Sequence, residues 1–217
     1  MRATADAVII GGGVMGCSIL YNLAQHGMQD LVLLERDIIA SGGSGRSQAI
    51  SRMHYSNPVT TSLAWESLKL FRSFEETVGG PSGFVRTGYV LVVGPDDKEA
   101  MEQNVAMQRS LGVNTLSISQ QEAGEVAPML ALGDAAGLAY EPESGYADPY
   151  AVASTYARRA RDKGAEVNLE TPATRIKVNC GNIRWWISEK FPLNRSLIHE
   201  CGRPVCLPAG PDSPTFS

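Results

Sequence analysis

The chain is predicted to be an α/β protein, and three observations carry the prediction. Residues 7–35 run apolar strand, glycine turn, helix, apolar strand. Strand and helix patterns then alternate as far as Val178 instead of falling into separate blocks. With 217 residues, 43% hydrophobic and 19% charged, the chain can bury a sizeable core as one large or two small domains.

The first strand is the apolar run Ala7 to Ile10, which enters Gly11-Gly12-Gly13-Val14-Met15-Gly16. A helix follows from Val14 to about His26, with Met15, Ile19, Leu20 and Leu23 on one face and Gly27 ending it. Leu31-Val32-Leu33-Leu34 is the continuous apolar run that a parallel sheet covered on both faces requires, and it stops at Glu35. In that setting each glycine has a physical task. Gly11 permits the tight turn, Gly13 lets the backbone approach a pyrophosphate, and Gly16 lets the helix lie close on the sheet. The helix N-terminus at Val14 and Met15 then offers N–H groups and a favourable dipole to the phosphates. Glu35 stands 19 positions after Gly16, near the roughly 20 expected of a carboxylate that hydrogen-bonds the ribose of an adenosine. A free 2′-hydroxyl is expected, while Arg36 leaves a 2′-phosphate open.

Ser41-Gly42-Gly43-Ser44-Gly45-Arg46-Ser47 is a second donor-rich stretch, long enough to run along a diphosphate towards a bulky ring. Asn57-Pro58 reads as an N-cap and first helical residue, and Ala64, Leu68, Phe71, Phe74 and Val78 mark one face of a helix that stops at Gly79-Gly80. Arg86 to Val93 is strand-like and ends in the turn Gly94-Pro95-Asp96. Asp97 is expected to cap a helix to about Leu111, and Ser119 with Glu122 forms a capping box for a short helix stopped before Pro128. A strand at Leu138 to Tyr140 leads to Asp148-Pro149, again cap and first turn, of a helix ending at Gly164. Glu166 to Leu169 and Ala173 to Val178 read as strands.

The segments Leu33 to Asp37, Ala40 to Gly42, Ser44 to Ser47 and Arg52-Met53-His54-Tyr55-Ser56-Asn57-Pro58 together resemble the amino-terminal part of the D-amino-acid oxidase and sarcosine oxidase family of flavoproteins. The likeness is greatest to its sarcosine oxidase beta-subunit and dimethylglycine dehydrogenase branch, and it continues through Phe84 to Tyr89 and Gly145 to Pro149. The resemblance implies an FAD-binding Rossmann-like βαβ domain (residues 1–80 and 150–178) with an inserted α+β substrate domain (81–149), and FAD as cofactor. It implies the ribose at Glu35, the pyrophosphate at Gly11 to Gly16, the flavin end at Gly45, Arg46 and Ser47 with Ser41 leading to it, and a main-chain contact to adenine at Ala173. The chemistry it implies is oxidation of a C–N bond in an amino acid or N-methyl amine by hydride transfer to flavin. The imine then hydrolyses, and the electrons pass to oxygen or another carrier. Arg52 is the candidate partner for a substrate carboxylate, and His54 the candidate to accept a proton, tune the ring or carry the flavin covalently. Two other readings stay open: a non-catalytic nucleotide-binding chain that needs a partner subunit, and a nicotinamide dehydrogenase, which residues 41–47 suit less well.

A net charge of −4 gives no electrostatic reason to expect nucleic acid. No apolar run approaches the ~20 residues of a membrane span, and residues 1–6 are too short and acidic for a secretory lead-in, so a cytoplasmic location is expected. Cys17 reads as a small buried helix residue, and no His or Cys spacing calls for a metal. Residues 180–217 hold three of the four cysteines, two of the three tryptophans and five of the twelve prolines. The strand and alanine-glycine turn with which relatives continue cannot be found there. We therefore expect the carboxy-terminal part of the fold to be missing after Val178, by a frameshift or truncation, and residues 179–217 to be an atypical, partly exposed and poorly ordered tail.

Overall fold

A computed structural model describes residues 5–179, 182–187, 191–194 and 198–200. It divides into two compact units, Met1–Ser41 with Ala160–Ser217, and Gly42–Arg159.

The first unit opens with β1 (Ala7–Ile10), α1 (Val14–Gln25) and β2 (Leu31–Leu34). β1 and β2 pair in parallel, Val8 opposite Val32, and all four residues of β2 are buried. The apolar run needed no alternation because both faces are covered. The buried stripe of α1 is Gly16, Cys17, Leu20, Tyr21 and Ala24, whereas Met15 is 61% exposed. This corrects the expected face. Small side chains bring the helix onto the sheet, and a long one at position 15 faces outward instead.

The second unit interrupts the first. In chain order it holds β3 (Ile50–Ser51), α2 (Pro58–Arg72), α3 (Phe74–Thr77), β4 (Val85–Arg86), β5 (Tyr89–Val93), a 3-10 turn at Pro95–Asp97, α4 (Lys98–Ser110), β6 (Leu116–Ser117), α5 (Gln120–Val126), β7 (Gly137–Glu141), β8 (Gly145–Tyr146) and most of α6 (Pro149–Asp162), whose last turn from Ala160 is counted with the first unit. The strands form two antiparallel sheets, ordered β3-β8-β4 and β5-β7-β6. The caps form where local chemistry predicts them. Asn57 Oδ1 accepts the Thr60 N–H at 2.8 Å, Ser119 and Glu122 bond reciprocally, and Asp148 Oδ1 accepts from Tyr150 and Ala151. Asp97 makes no side-chain cap, because the preceding 3-10 turn holds it at φ −100°, ψ 0° and not in the extended form a cap requires. The helix expected to run on to Gly79-Gly80 breaks at Ser73 (φ −107°, ψ 19°). Its apolar face survives the break, with Leu68, Phe74 and Val78 buried and Phe74 edge-on to Tyr156 at 5.0 Å.

The chain then returns to the first unit with β9 (Glu166–Asn168), β10 (Ala173–Asn179), β11 (Asn182–Ile187), β12 (Phe191–Asn194) and β13 (Ile198–Glu200). β9 and β13 complete a parallel sheet ordered β13-β1-β2-β9, and β10-β11-β12 is antiparallel. The architecture is thus the predicted α/β one, a parallel βαβ sheet with an α+β unit inserted between β2 and β9.

Two boundaries differ from expectation. The units part at 41/42 and 159/160, not at 80/81 and 149/150. Residues 50–80 belong with 81–149 because β8 pairs with both β3 and β4, and Met53 and Leu68 share a core with Val113 and Phe84. Part of the segment after Val178 joins the sheets: β11 pairs with β10, and β13 extends the parallel sheet beside β1. The tail cysteines Cys180, Cys201 and Cys206, and Pro204, Pro208, Pro211 and Pro214, lie outside the described residues. Among the described residues no helix is long and apolar enough to cross a membrane, and no cluster of His, Cys, Asp or Glu could hold a metal ion.

Candidate functional site

In the first unit the glycine turn and Glu35 form one constellation. Gly11 takes φ +103°, a conformation that side chains resist, and its N–H donates to Leu34 O at 2.8 Å. A Cβ on Gly16 would lie 2.0 Å from Gly11 O and 3.3 Å from Ile9 Cγ2, so only glycine lets α1 start this close to β1. Gly13 is the N-cap, extended at φ −74°, ψ 175°, with no side-chain cap and no acidic residue in the first turn. The 12-residue helix therefore starts with no negative side chain at its positive end, which suits an anion there.

Glu35 directly follows β2 and is 8% exposed. Its Oε2 accepts the Gly12 N–H at 2.6 Å, and its Oε1 accepts the Asp37 N–H at 2.9 Å. Its own backbone is held from both sides, donating to Asn168 O at 2.9 Å and accepting from Thr171 N–H at 2.8 Å. A carboxylate offers about four lone-pair sites, so capacity for two ribose hydroxyls remains after those two backbone bonds. A backbone cradle that a Cβ would fill, next to a fixed carboxylate, fits a dinucleotide. The loop beyond returns to the turn, with Ala40 N–H on Gly12 O at 2.9 Å and Ser41 N–H on Ile38 O at 3.2 Å. Arg36 is exposed, and Ala173 packs half-buried on the core of Ala5, Val8, Val32 and Leu34.

The second unit carries the other predicted residues. Gly45, Arg46 and Ser47 are exposed in a turn closed by Ser47 N–H on Ser44 O at 3.1 Å, and Ser47 Oγ accepts the Ala49 N–H. Arg52 and His54 lie together between β3 and α2. The Arg52 guanidinium donates to His54 O, and it lies 4.9 Å from the Tyr55 ring centre and 5.5 Å from that of Tyr89. Arg52 has five N–H donors, so donors remain for a carboxylate.

Sequence reasoning missed the residue that fixes this segment. Glu141, the fully buried last residue of β7, accepts the Met53 N–H at 2.9 Å and the Ser144 O–H at 2.6 Å on the same oxygen, Oε2. Its Oε1 lies 3.7 Å from His54 Nδ1. Burial pushes the Glu141 carboxyl up, against the opposing pulls of the Met53 N–H, the Ser144 hydroxyl and Arg52. Burial also holds the His54 imidazole below the ordinary histidine value, and Arg52 pushes the same way. The one available signal was a carboxylate ending the apolar strand Gly137-Leu138-Ala139-Tyr140; its partner lies 88 positions away.

The family model of FAD dependent oxidoreductases (DAO) matches residues 6–216. The match therefore does not stop at Val178, where the change of composition led us to expect it to. Human mitochondrial sarcosine dehydrogenase is 30% identical over 180 residues, covering 82% of this chain and 20% of that protein. The mouse mitochondrial pyruvate dehydrogenase phosphatase regulatory subunit is 29% identical over 202 residues, covering 93% of this chain and 23% of that protein. The chain thus spans about a fifth of the length of these curated relatives. In fold it is similar to the crystal structure of L-proline dehydrogenase from P. horikoshii, with a TM-score of 0.85 at 23% identity over 93% of this chain and 53% of that one. Glycine turn, buried carboxylate, inserted antiparallel unit and family match agree: the chain belongs to the FAD-dependent oxidoreductase family, and its cofactor is FAD.

Proposed function

We propose that this chain is the FAD-binding portion, with part of the substrate-binding portion, of an oxidoreductase that oxidises the C–N bond of an amino acid or N-methyl amine. The observation that carries the reading is the Gly11 to Gly16 cradle joined to Glu35 through the Gly12 N–H. In this reading the backbone of Gly11, Gly13, Val14, Met15 and Gly16 holds the diphosphate and Glu35 the ribose, with Arg36 at its rim. Ala173 meets adenine through its main chain, and Ser41, Gly45, Arg46 and Ser47 serve the flavin end. Bound FAD supplies the acceptor for the hydride that leaves the substrate carbon. Arg52, stacked between two tyrosines, orients a substrate carboxylate as a bidentate pair. His54 contributes a ring nitrogen beside it. The imine product hydrolyses in water, and oxygen or a protein carrier takes the electrons.

A second reading is favoured by the relative whose name marks it as a regulatory subunit: a flavin-binding chain that turns nothing over alone and works with a partner chain. One experiment separates the two. The purified chain is incubated with FAD, gel-filtered, and its visible flavin absorption followed anaerobically as N-methyl and α-amino acids are added. Retained flavin that bleaches with an amine supports the enzyme, and retained flavin that never bleaches supports the subunit. A colourless protein overturns both.

A further inference from the structure

The charged and titratable groups set against His54 are Arg52 from its own segment and Glu141 from β7; Tyr55 lies against Arg52, and Ser144, in the turn after β7, bonds Glu141. Tyr89, opposite Glu141 on β5, stacks on Arg52. Among the described residues neither His54 ring nitrogen has a hydrogen-bond partner, and neither does Glu141 Oε1, although all three atoms are buried. Two of these orphans, Nδ1 and Oε1, face each other at 3.7 Å. Buried polar atoms without partners are costly, so such a pair is expected to share a hydrogen.

The two oxygens of Glu141 are not equivalent. Oε2 already accepts twice, from the Met53 N–H and the Ser144 O–H, and behaves as a carbonyl oxygen. Oε1 accepts nothing, and it is the oxygen free to carry a proton. We propose that Glu141 is a positioning residue in its protonated form, donating from Oε1 to His54 Nδ1, so that the ring keeps its own hydrogen on Nε2. Burial favours the uncharged form of both groups, which agrees with this arrangement. The consequence deepens the proposed function and rests on it. Within that function His54 carries an N–H on Nε2 and no lone pair on either free side, so its role is that of a donor and not of the base that removes an amine proton.

The tautomer can be read without cofactor or substrate, so its outcome is independent of whether the chain holds FAD. The full chain labelled with ¹⁵N on its three histidines is examined by NMR, with His54 assigned by its loss in His54→Gln. The expected result at neutral pH is a lone-pair Nδ1 and a protonated Nε2, with the ring gaining its second hydrogen only below the value of an ordinary histidine, about 6.5. Glu141→Gln should keep that tautomer, since the amide oxygen can accept from Met53 and Ser144 while its NH₂ donates to Nδ1. Glu141→Leu, which has no donor, should release Nδ1. If Nδ1 carries the hydrogen in the unaltered chain, or Glu141→Gln moves the hydrogen from Nδ1 to Nε2, Glu141 is an anion and the proposal fails. Where Glu141→Leu does not fold, the unaltered chain and Glu141→Gln decide alone.

Discussion

The glycine turn of the first unit and the Glu141 cluster of the second hold their groups in opposite ways. Around Gly11 to Gly16 side chains are absent so that backbone segments can approach closely, and the Glu35 carboxylate is an acceptor fixed by two N–H groups. Around Glu141 the backbone is anchored by side chains, and ionisable groups are packed where burial opposes their charge. The first arrangement depends on space and the second on a few hydrogen bonds across the chain. Each therefore fails under a different kind of substitution.

The largest effect is expected from Glu141→Leu. It leaves the Met53 N–H buried without an acceptor and the Ser144 O–H with only the weak Met53 Sδ at 4.0 Å, at roughly 1–3 kcal/mol for the N–H and less for the hydroxyl. Urea denaturation should show the loss as a lowered midpoint with an unchanged slope. A cost under about 1 kcal/mol would mean that water reaches the cluster and that burial is not what governs it.

The same carboxyl gives a pH test with a definite sign. Its folded value is raised, so the stabilisation it gives is complete below the unfolded value of about 4.3 and is lost as pH rises through the folded value. The stability advantage of the unaltered chain over Glu141→Gln should shrink as pH rises above about 4.3. His54, lowered in the folded state, works the other way: its contribution is present above about 6.5 and lost as pH falls through its folded value. That term is common to both proteins and cancels in the difference. An advantage that grew with pH would show a depressed carboxyl and an ionised Glu141.

Gly16→Ala tests the other region. Its Cβ would stand 2.0 Å from Gly11 O, so the turn or the helix must move, at about 1–3 kcal/mol for an overpacked site. Retained FAD should fall sharply, while the His54 tautomer in the other unit stays as it was. Undiminished FAD retention would show that the diphosphate is not held at this turn.

The same contrast explains what could be read from the sequence. Glycines at fixed offsets, a carboxylate 19 residues on, Asn57-Pro58, Ser119 with Glu122 and Asp148-Pro149 act within a turn or two of themselves, and their chemistry is visible in a short window. The two-residue strands β3, β4, β6 and β8 have no periodicity of their own and exist through distant partners. The break at Ser73 was hidden because the apolar spacing continues through it. Glu141 gave one carboxylate at the end of an apolar strand, and its role lies in contacts with Met53, His54 and Ser144 that only the folded chain supplies.

The smallest effect expected is the one that isolates Glu141 most cleanly. Asn57 caps α2 three residues after His54, accepting the Thr60 N–H at 2.8 Å, and it is exposed. Asn57→Ala removes that cap and should cost about 1 kcal/mol, read as a small shift in the urea midpoint. If the segment from Arg52 to His54 is held by β7 through Glu141, the His54 tautomer and the pH dependence of stability should not change. If the start of the helix holds it instead, the loosened cap will let the imidazole titrate near the ordinary histidine value. Because the stability loss is small in either case, a change at His54 could not be assigned to general unfolding, and it would transfer the anchoring role from the buried carboxyl to the helix cap.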